Sequence, residues 1–416
     1  MNFTIYLPLL LISIMLLHCS VFVYNPESDL ISEQFCWIHF ASVILAIGII
    51  LMEYPKSKSK SKITFSLPDL LLILLYGIVL ISCKTEQCQI PNRFLFISQL
   101  ITLWFMLRVL LQVHKELLLF FNLIMIFTGI LIAYYLFFCT DTTSIFYLAT
   151  NKASLSAIKT NLYLDYIAVI YPICLNMSLH NLNCNKFRNW NTSTCLFYFS
   201  SLGTCTTLMI VLSYTHHPLW IITTIVSLWI VWERYKHKIN VIKSLPKKYL
   251  SIIIGAIFIL VIIISIQLIH SKMNTSSFIE RVLSMNFIYP NKECWIISTE
   301  FKMGGLFLFF SWIISSVYYG IKHRQTAAVY SILIMCIISL YKNPFQQPYF
   351  WVLLIFLIII CITQPEKPLK EKGYPYIGIL SAIVSCFLFY GQIDDFNYYR
   401  KWLESQKLQS VTSLKK

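Results

Sequence analysis

Charge is scarce in this chain: Asp, Glu, Lys and Arg make up 12% of 416 residues, about half the share usual in a soluble domain. Acidic residues are scarcest, with 18 Asp and Glu against 33 Lys and Arg. Only 11 glycines are present, and none forms a glycine-rich phosphate loop. The absence of that loop and of any nucleotide fold argues against ATP-driven transport. The 13 cysteines have neither CxxC pairing nor metal-ligand spacing, so no metal site is read. Most of them, Cys36, Cys174, Cys195, Cys205, Cys336, Cys361 and Cys386, fall inside apolar runs, where cysteine behaves as a small hydrophobe.

What the chain has in abundance is apolar surface: 57% of it is hydrophobic and 16% aromatic, with a mean hydropathy of +0.69. A water-exposed globular surface cannot be built from that composition, which excludes a soluble enzyme. Apolar runs near 20 residues recur from Phe3 to Gln392, each long enough to cross about 30 Å of hydrocarbon as a helix. The expected fold is an all-α polytopic bundle over residues 1–392 with about thirteen transmembrane helices, followed by a short tail over 393–416. The runs begin near Phe3, Phe35, Leu67, Phe94, Leu118, Leu162, Cys195, Leu219, Tyr249, Cys294, Thr326, Phe350 and Tyr376. The first run, Phe3 to Tyr24, lacks the basic start and small-residue cleavage site of a signal peptide and reads as the first span.

The net charge of +15 would suggest nucleic acid in a soluble protein. Here its distribution points to orientation instead. With an inside N-terminus, the loops 53–64, 113–117, 179–193, 234–248, 321–325 and 365–374 are cytoplasmic and carry 18 Lys and Arg, against 9 in the outside segments. That bias has the sign expected for loops held against an anionic inner leaflet. The Lys-Ser alternation from Lys56 to Lys62 is then a topogenic anchor, and the tail lies outside. Cys83 and Cys88 bracket a short outside loop, where a disulfide is chemically permitted.

Ionisable residues within apolar runs are functional suspects by default. Asp69 and Asp165 read more simply as residues of a first helical turn, favoured by the dipole. Arg108, about a turn from the inner end of the fourth run, can snorkel to the surface. Tyr214 to Pro218 forms the whole outside link between the seventh and eighth runs. Its His216 and His217 can hold an anionic headgroup or pass a proton, or can simply occupy a polar turn. Densest in charge is His270 to Trp295, with Lys272, Glu280, Arg281, Lys292 and Glu293, followed by Glu300 and Lys302. A guanidinium grips phosphate oxygens as a fork while a carboxylate accepts a proton. Ordinary juxtamembrane ion pairs account for the same composition equally well.

This segment resembles the O-antigen ligase and polymerase superfamily in its Bacteroidota form. Lys272 to Leu283 is similar to a family stretch K-x-x-S-A-x-G-R-L-L-I-W, with Arg281 at the arginine and Glu280 in place of the glycine. Pro290 to Leu306 is similar to A-F-N-E-Y-L-Q-I-A-V-E-F-G-I-I-G-L, with Glu293 and Glu300 seven apart and the final Gly305-Leu306 kept. Tyr341 to Phe345, before the apolar run from Tyr349, looks like the family's S-Y-P-F/L element. Tyr399 to Glu404 is similar to the point where longer relatives begin a helical-repeat domain. The chain departs elsewhere: His216 stands where an S-R-x-A-W element has arginine, an N-P-G element is reduced to Asn161, and Asn291 stands where many ligases have histidine. Only eleven residues separate Arg281 from Glu293.

The resemblance implies a multi-pass protein of a bacterial inner membrane, N-terminus cytoplasmic and C-terminus periplasmic, working at its periplasmic face. It implies transfer or polymerisation of an undecaprenyl diphosphate-linked glycan onto a lipid or glycan acceptor. No cofactor, metal or nucleic acid is required. Glu293 or Glu300 would act as base, while Arg281, Lys272 and His216 would bind the donor diphosphate. A non-catalytic relative that binds the glycan or an export partner, and a flippase or secondary transporter, are the alternatives.

Overall fold

The computed structural model describes residues 7–21, 30–53, 65–85, 91–113, 117–138, 155–181, 192–213, 219–236, 294–341, 348–363 and 377–391. These residues form helices, turns and short links, with no strand among them. The helices are α1 (Leu7–Cys19), α2 (Leu30–Glu53), α3 (Leu67–Thr85), α4 (Pro91–Val113), α5 (Leu117–Phe138), α6 (Leu155–Asn181), α7 (Thr192–Ser213), α8 (Leu219–Lys236), α9 (Cys294–Lys322), α10 (Thr326–Tyr341) and α11 (Pro348–Ile362), followed by α12 (Ile377–Gly391). Each coincides with one apolar run of the sequence. The ninth run, from Tyr249, and the tail over 393–416 lie outside the described residues.

The ends of the helices follow local chemistry. Ser66 caps α3, its carbonyl accepting from the backbone N–H groups of Asp69 and Leu70, and Pro68 occupies the first turn, where no donor is needed. Pro348 opens α11 for the same reason. α9 closes in a Schellman turn, with Gln325 N–H donating to the Gly320 carbonyl and Arg324 N–H to that of Ile321. Arg324 takes the left-handed position there, at φ 58°, which is glycine's usual place. α6 starts at Leu155, seven residues before the apolar run. Backbone hydrogen bonding continues through the polar residues Lys159 to Asn161, which the hydropathy pattern assigns to a loop.

The segment Leu117–Leu136, with mean hydropathy 2.4, is long and apolar enough to cross a membrane; the other apolar helical segments that qualify among the described residues, such as Trp37–Leu51 within α2, are shorter, at 10–17 residues.

The chain divides into two compact units, one of Met1–Phe121, Trp295–Gln325 and Phe345–Lys416, the other of Asn122–Cys294 and Thr326–Pro344. In the first, α1 and α2 are antiparallel, and Gly48 on α2 leaves room for Leu10: a Cβ there would meet Leu10 Cδ2 at 2.8 Å. α3 and α4 are antiparallel too, joined at Tyr76 and Ser98, whose hydroxyls are 2.9 Å apart. α12 runs against α4, with Gln99 donating to Ser385 at 2.6 Å. α11 runs with α9, where Phe309 meets Trp351 edge to face and His323 meets the Cys361 carbonyl. α11 is the central element, buried along its whole length.

The second unit packs α5, α6, α7, α8 and α10 closely. A Cβ on Gly129 would run into Ile170, and one on Gly203 would meet Ile126 Cγ2 at 2.6 Å. Hydroxyl pairs join its helices: Ser178 with Ser201 at 2.9 Å and Ser227 with Tyr171 at 2.8 Å. Tyr330 at the start of α10 donates to Glu233 near the end of α8 at 2.8 Å.

Candidate functional site

Two polar groups lie inside the first unit, one at each end of α11. The first is built on Asp69, the third residue of α3 and fully buried. Arg108 on α4, only 3% exposed, grips its carboxylate as a fork, Nε to Oδ1 at 3.3 Å and Nη2 to Oδ2 at 3.1 Å. Trp104, one turn earlier on α4, donates from Nε1 to Oδ1 at 2.8 Å. Ser66 gives its N–H at 2.8 Å and its hydroxyl at 2.6 Å to Oδ2. The carboxylate therefore serves as helix cap and as counter-ion together. Trp104 stacks obliquely on Trp312 of α9, their rings 5.6 Å apart.

Arg108 thus does not snorkel. It turns inward because a fully buried carboxylate one helix away offers two oxygens in fork geometry, which outweighs the gain of reaching water. Asp69 keeps its expected place in a first turn. Asp165 does not: α6 begins ten residues before it, so its buried carboxylate lies about 15 Å along the helix, out of reach of the terminal dipole, and is partnered.

His323, in the turn after α9, belongs to the same end. Its Nδ1 lies 3.0 Å from the Cys361 carbonyl, while Nε2 is buried without a partner among the described residues. Burial lowers its pKa, the Cys361 hydrogen bond opposes that, and the positive charges of Lys322 and Arg108 reinforce it.

The second group sits where α1 ends and α11 begins. His18 is fully buried, its Nδ1 3.2 Å from the Tyr349 hydroxyl and its ring 4.6 Å from that of Phe356. Gln34, near the start of α2, accepts the Tyr349 backbone N–H at 3.3 Å. Among the described residues His18 Nε2 and Gln34 Nε2 have no hydrogen-bond partner, nor has either ring nitrogen of the fully buried His39, further along α2. Hydropathy reading passes over these three because one polar residue barely dents an apolar run. The rule that flags Asp69, a polar group within a span, finds them too.

Lys272, Arg281, Glu293 and His216, and Cys88 of the pair with Cys83, lie outside the described residues. Glu300 falls in α9, its side chain outside them. α9 starts at Cys294, so Glu293 immediately precedes it in the chain. Among the described residues no three His, Cys, Asp or Glu side chains converge as a metal site. Comparison with protein families, with curated proteins and with solved structures finds no match.

Proposed function

We propose that this is a polytopic membrane protein of the O-antigen ligase-like kind, which transfers or polymerises an undecaprenyl diphosphate-linked glycan at the outer face of a bacterial inner membrane. The membrane part is carried by one observation: the helices are apolar outside and polar inside. Phe307, Phe310, Ile314, Tyr318 and Ile321 recur three or four apart on the exposed face of α9, as do Leu380, Ile383, Phe387 and Tyr390 on α12. Phe307 is 72% and Phe387 78% exposed, while Asp69, Gln99, His18 and His39 are fully buried. Water would reverse that distribution; hydrocarbon favours it. Alternation supports it as well. The contacts inside the first unit gather the starts of α3 and α12 with the ends of α4, α9 and α11, the end where the basic loops fall.

The glycan part rests on the sequence resemblance. A helix opening at Cys294 suits the spacing of Glu293 and Glu300, which over seven residues are about 10 Å apart along an axis. Glu293, nearer the outer boundary, is the base, and Arg281 binds the diphosphate. Purified protein given a lipid diphosphate glycan and candidate acceptors should lose transfer with Glu293→Gln while keeping donor binding. Arg281→Ala should weaken donor use roughly ten- to a hundredfold. Wild type that binds donor but transfers to no acceptor would leave a binding role. A transporter of the same lipid is the reading that the buried ionisable groups of the first unit favour.

A further inference from the structure

We propose that the interior of the first unit is a proton path between its two ends, with His18, His39 and His323 as stations and bound water between them. The proposal rests on the membrane reading and is independent of glycan transfer.

Among the described residues, eight buried side-chain nitrogen or oxygen atoms lack a hydrogen-bond partner, and seven of them belong to this unit: His18 Nε2, Gln34 Nε2, both nitrogens of His39, Gln99 Oε1, Trp312 Nε1 and His323 Nε2. Leaving such an atom unpaired costs about 1–3 kcal/mol, and the proposal places bound water at these positions. They are spread through the depth of the bundle. Gln34 and His39 are five residues apart on α2, about 7.5 Å along its axis, and Gln99 lies nine residues from Arg108 on α4, about 13.5 Å. The two ends of the path are set by α11, with His18 and Gln34 at Tyr349 and His323 at Cys361, twelve residues and about 18 Å apart.

His39 is the central station. An imidazole with both nitrogens open takes a proton on one and releases another from the other, and a ring flip resets it. One N–H bond forms as another breaks, so the net event is one proton moved down its gradient, with no other reactant. The ionisable groups described on the helices packed against α2 are His18 and Cys19 on α1, Arg108 on α4, and Tyr349 and Cys361 on α11. Arg108 is held by Asp69, so its charge is balanced and does not bar a proton. In the second unit, by contrast, Ser331 Oγ is the one buried side-chain nitrogen or oxygen among the described residues that lacks a partner, so no such chain of open positions is described there.

The test is proton uptake by liposomes carrying the full chain, with a pH-sensitive dye inside and a potassium gradient discharged by valinomycin. Wild type should acidify the lumen faster than protein-free vesicles. His39→Leu should slow the protein-dependent rate on the order of tenfold or more, and Tyr171→Phe in the second unit should leave it unchanged. His39→Gln, polar but not titrating, should be slow as well, and guards against misfolding of the leucine variant. Wild type no faster than empty vesicles, or both His39 variants at the wild-type rate, overturns the proton path. Protein washed from the vesicles by alkali overturns the membrane reading itself, and the path with it.

Discussion

The two units pack apolar helices alike at glycine and differ in the polar groups they enclose. The first joins α3 to α4 through a buried, fully bonded ion pair and keeps histidine and glutamine side chains in its interior. Both bring helices together at glycine, at Gly48 in the first and at Gly129 and Gly203 in the second, and both satisfy Ser and Thr hydroxyls within the helix that bears them; among the described residues the second holds one buried carboxylate, Asp165, and one unpartnered buried side-chain atom, Ser331 Oγ. Close packing at glycine needs no polar partner and suits a scaffold. Buried ionisable groups are costly and persist where they are used or fully paired. The first unit therefore holds most of the unpartnered buried polar atoms among the described residues, on which the proposed proton path rests.

The largest expected effect breaks that contrast at its strongest point. Arg108→Ala leaves the Asp69 carboxylate buried and uncompensated, and should lower stability by about 3–5 kcal/mol, read as thermal or denaturant unfolding in detergent. Asp69→Leu combined with Arg108→Met should recover much of the loss. Recovery stays incomplete, because Ser66 and Trp104 lose their acceptor as well, at about 1 kcal/mol each. A double variant no better than either single one would mean that the pair does not act as a unit.

A smaller effect sharpens the comparison through glycine. Gly129→Ala forces a methyl against Ile170 in the second unit and should cost about 1–3 kcal/mol. Gly77→Ala on α3, where no atom lies within 4 Å of the added Cβ, should instead stabilise by about 0.5–1 kcal/mol through helix propensity alone. Equal effects at the two sites would remove the distinction between close-packed and open helix faces.

Much of the helical order is legible in the sequence. The starts of α3, α8, α9 and α10 at Leu67, Leu219, Cys294 and Thr326 coincide with the starts of apolar runs, because a run long enough to satisfy its own backbone bonds is a helix wherever it packs. Start points elsewhere differ where helix continues through polar residues, as in α6. Neighbour choice is not legible in the same way. Asp69 and Arg108 are each conspicuous alone, yet periodicity carries nothing about which two of a dozen apolar helices touch, and their pairing appears only in the fold. His18, Gln34 and His39 are obscured for a different reason: a lone polar residue in an apolar run reads as core unless its neighbours are known. The candidate residues carried by the family resemblance, Lys272, Arg281 and Glu293, fall outside the described residues and stand on sequence alone.

The most direct test of the membrane arrangement is the accessibility of paired single cysteines in a cysteine-free background. Asn274→Cys lies in an outside segment of the charge-based topology, and Arg324→Cys in the exposed turn after α9, three helical runs away from the opposite-sided link at Tyr214. A membrane-impermeant maleimide added to intact spheroplasts should label Cys at 274 and spare Cys at 324 until the membrane is broken. Labelling of both sites in intact cells, or of 324 alone, would contradict the alternating arrangement and with it the assignment of the working face.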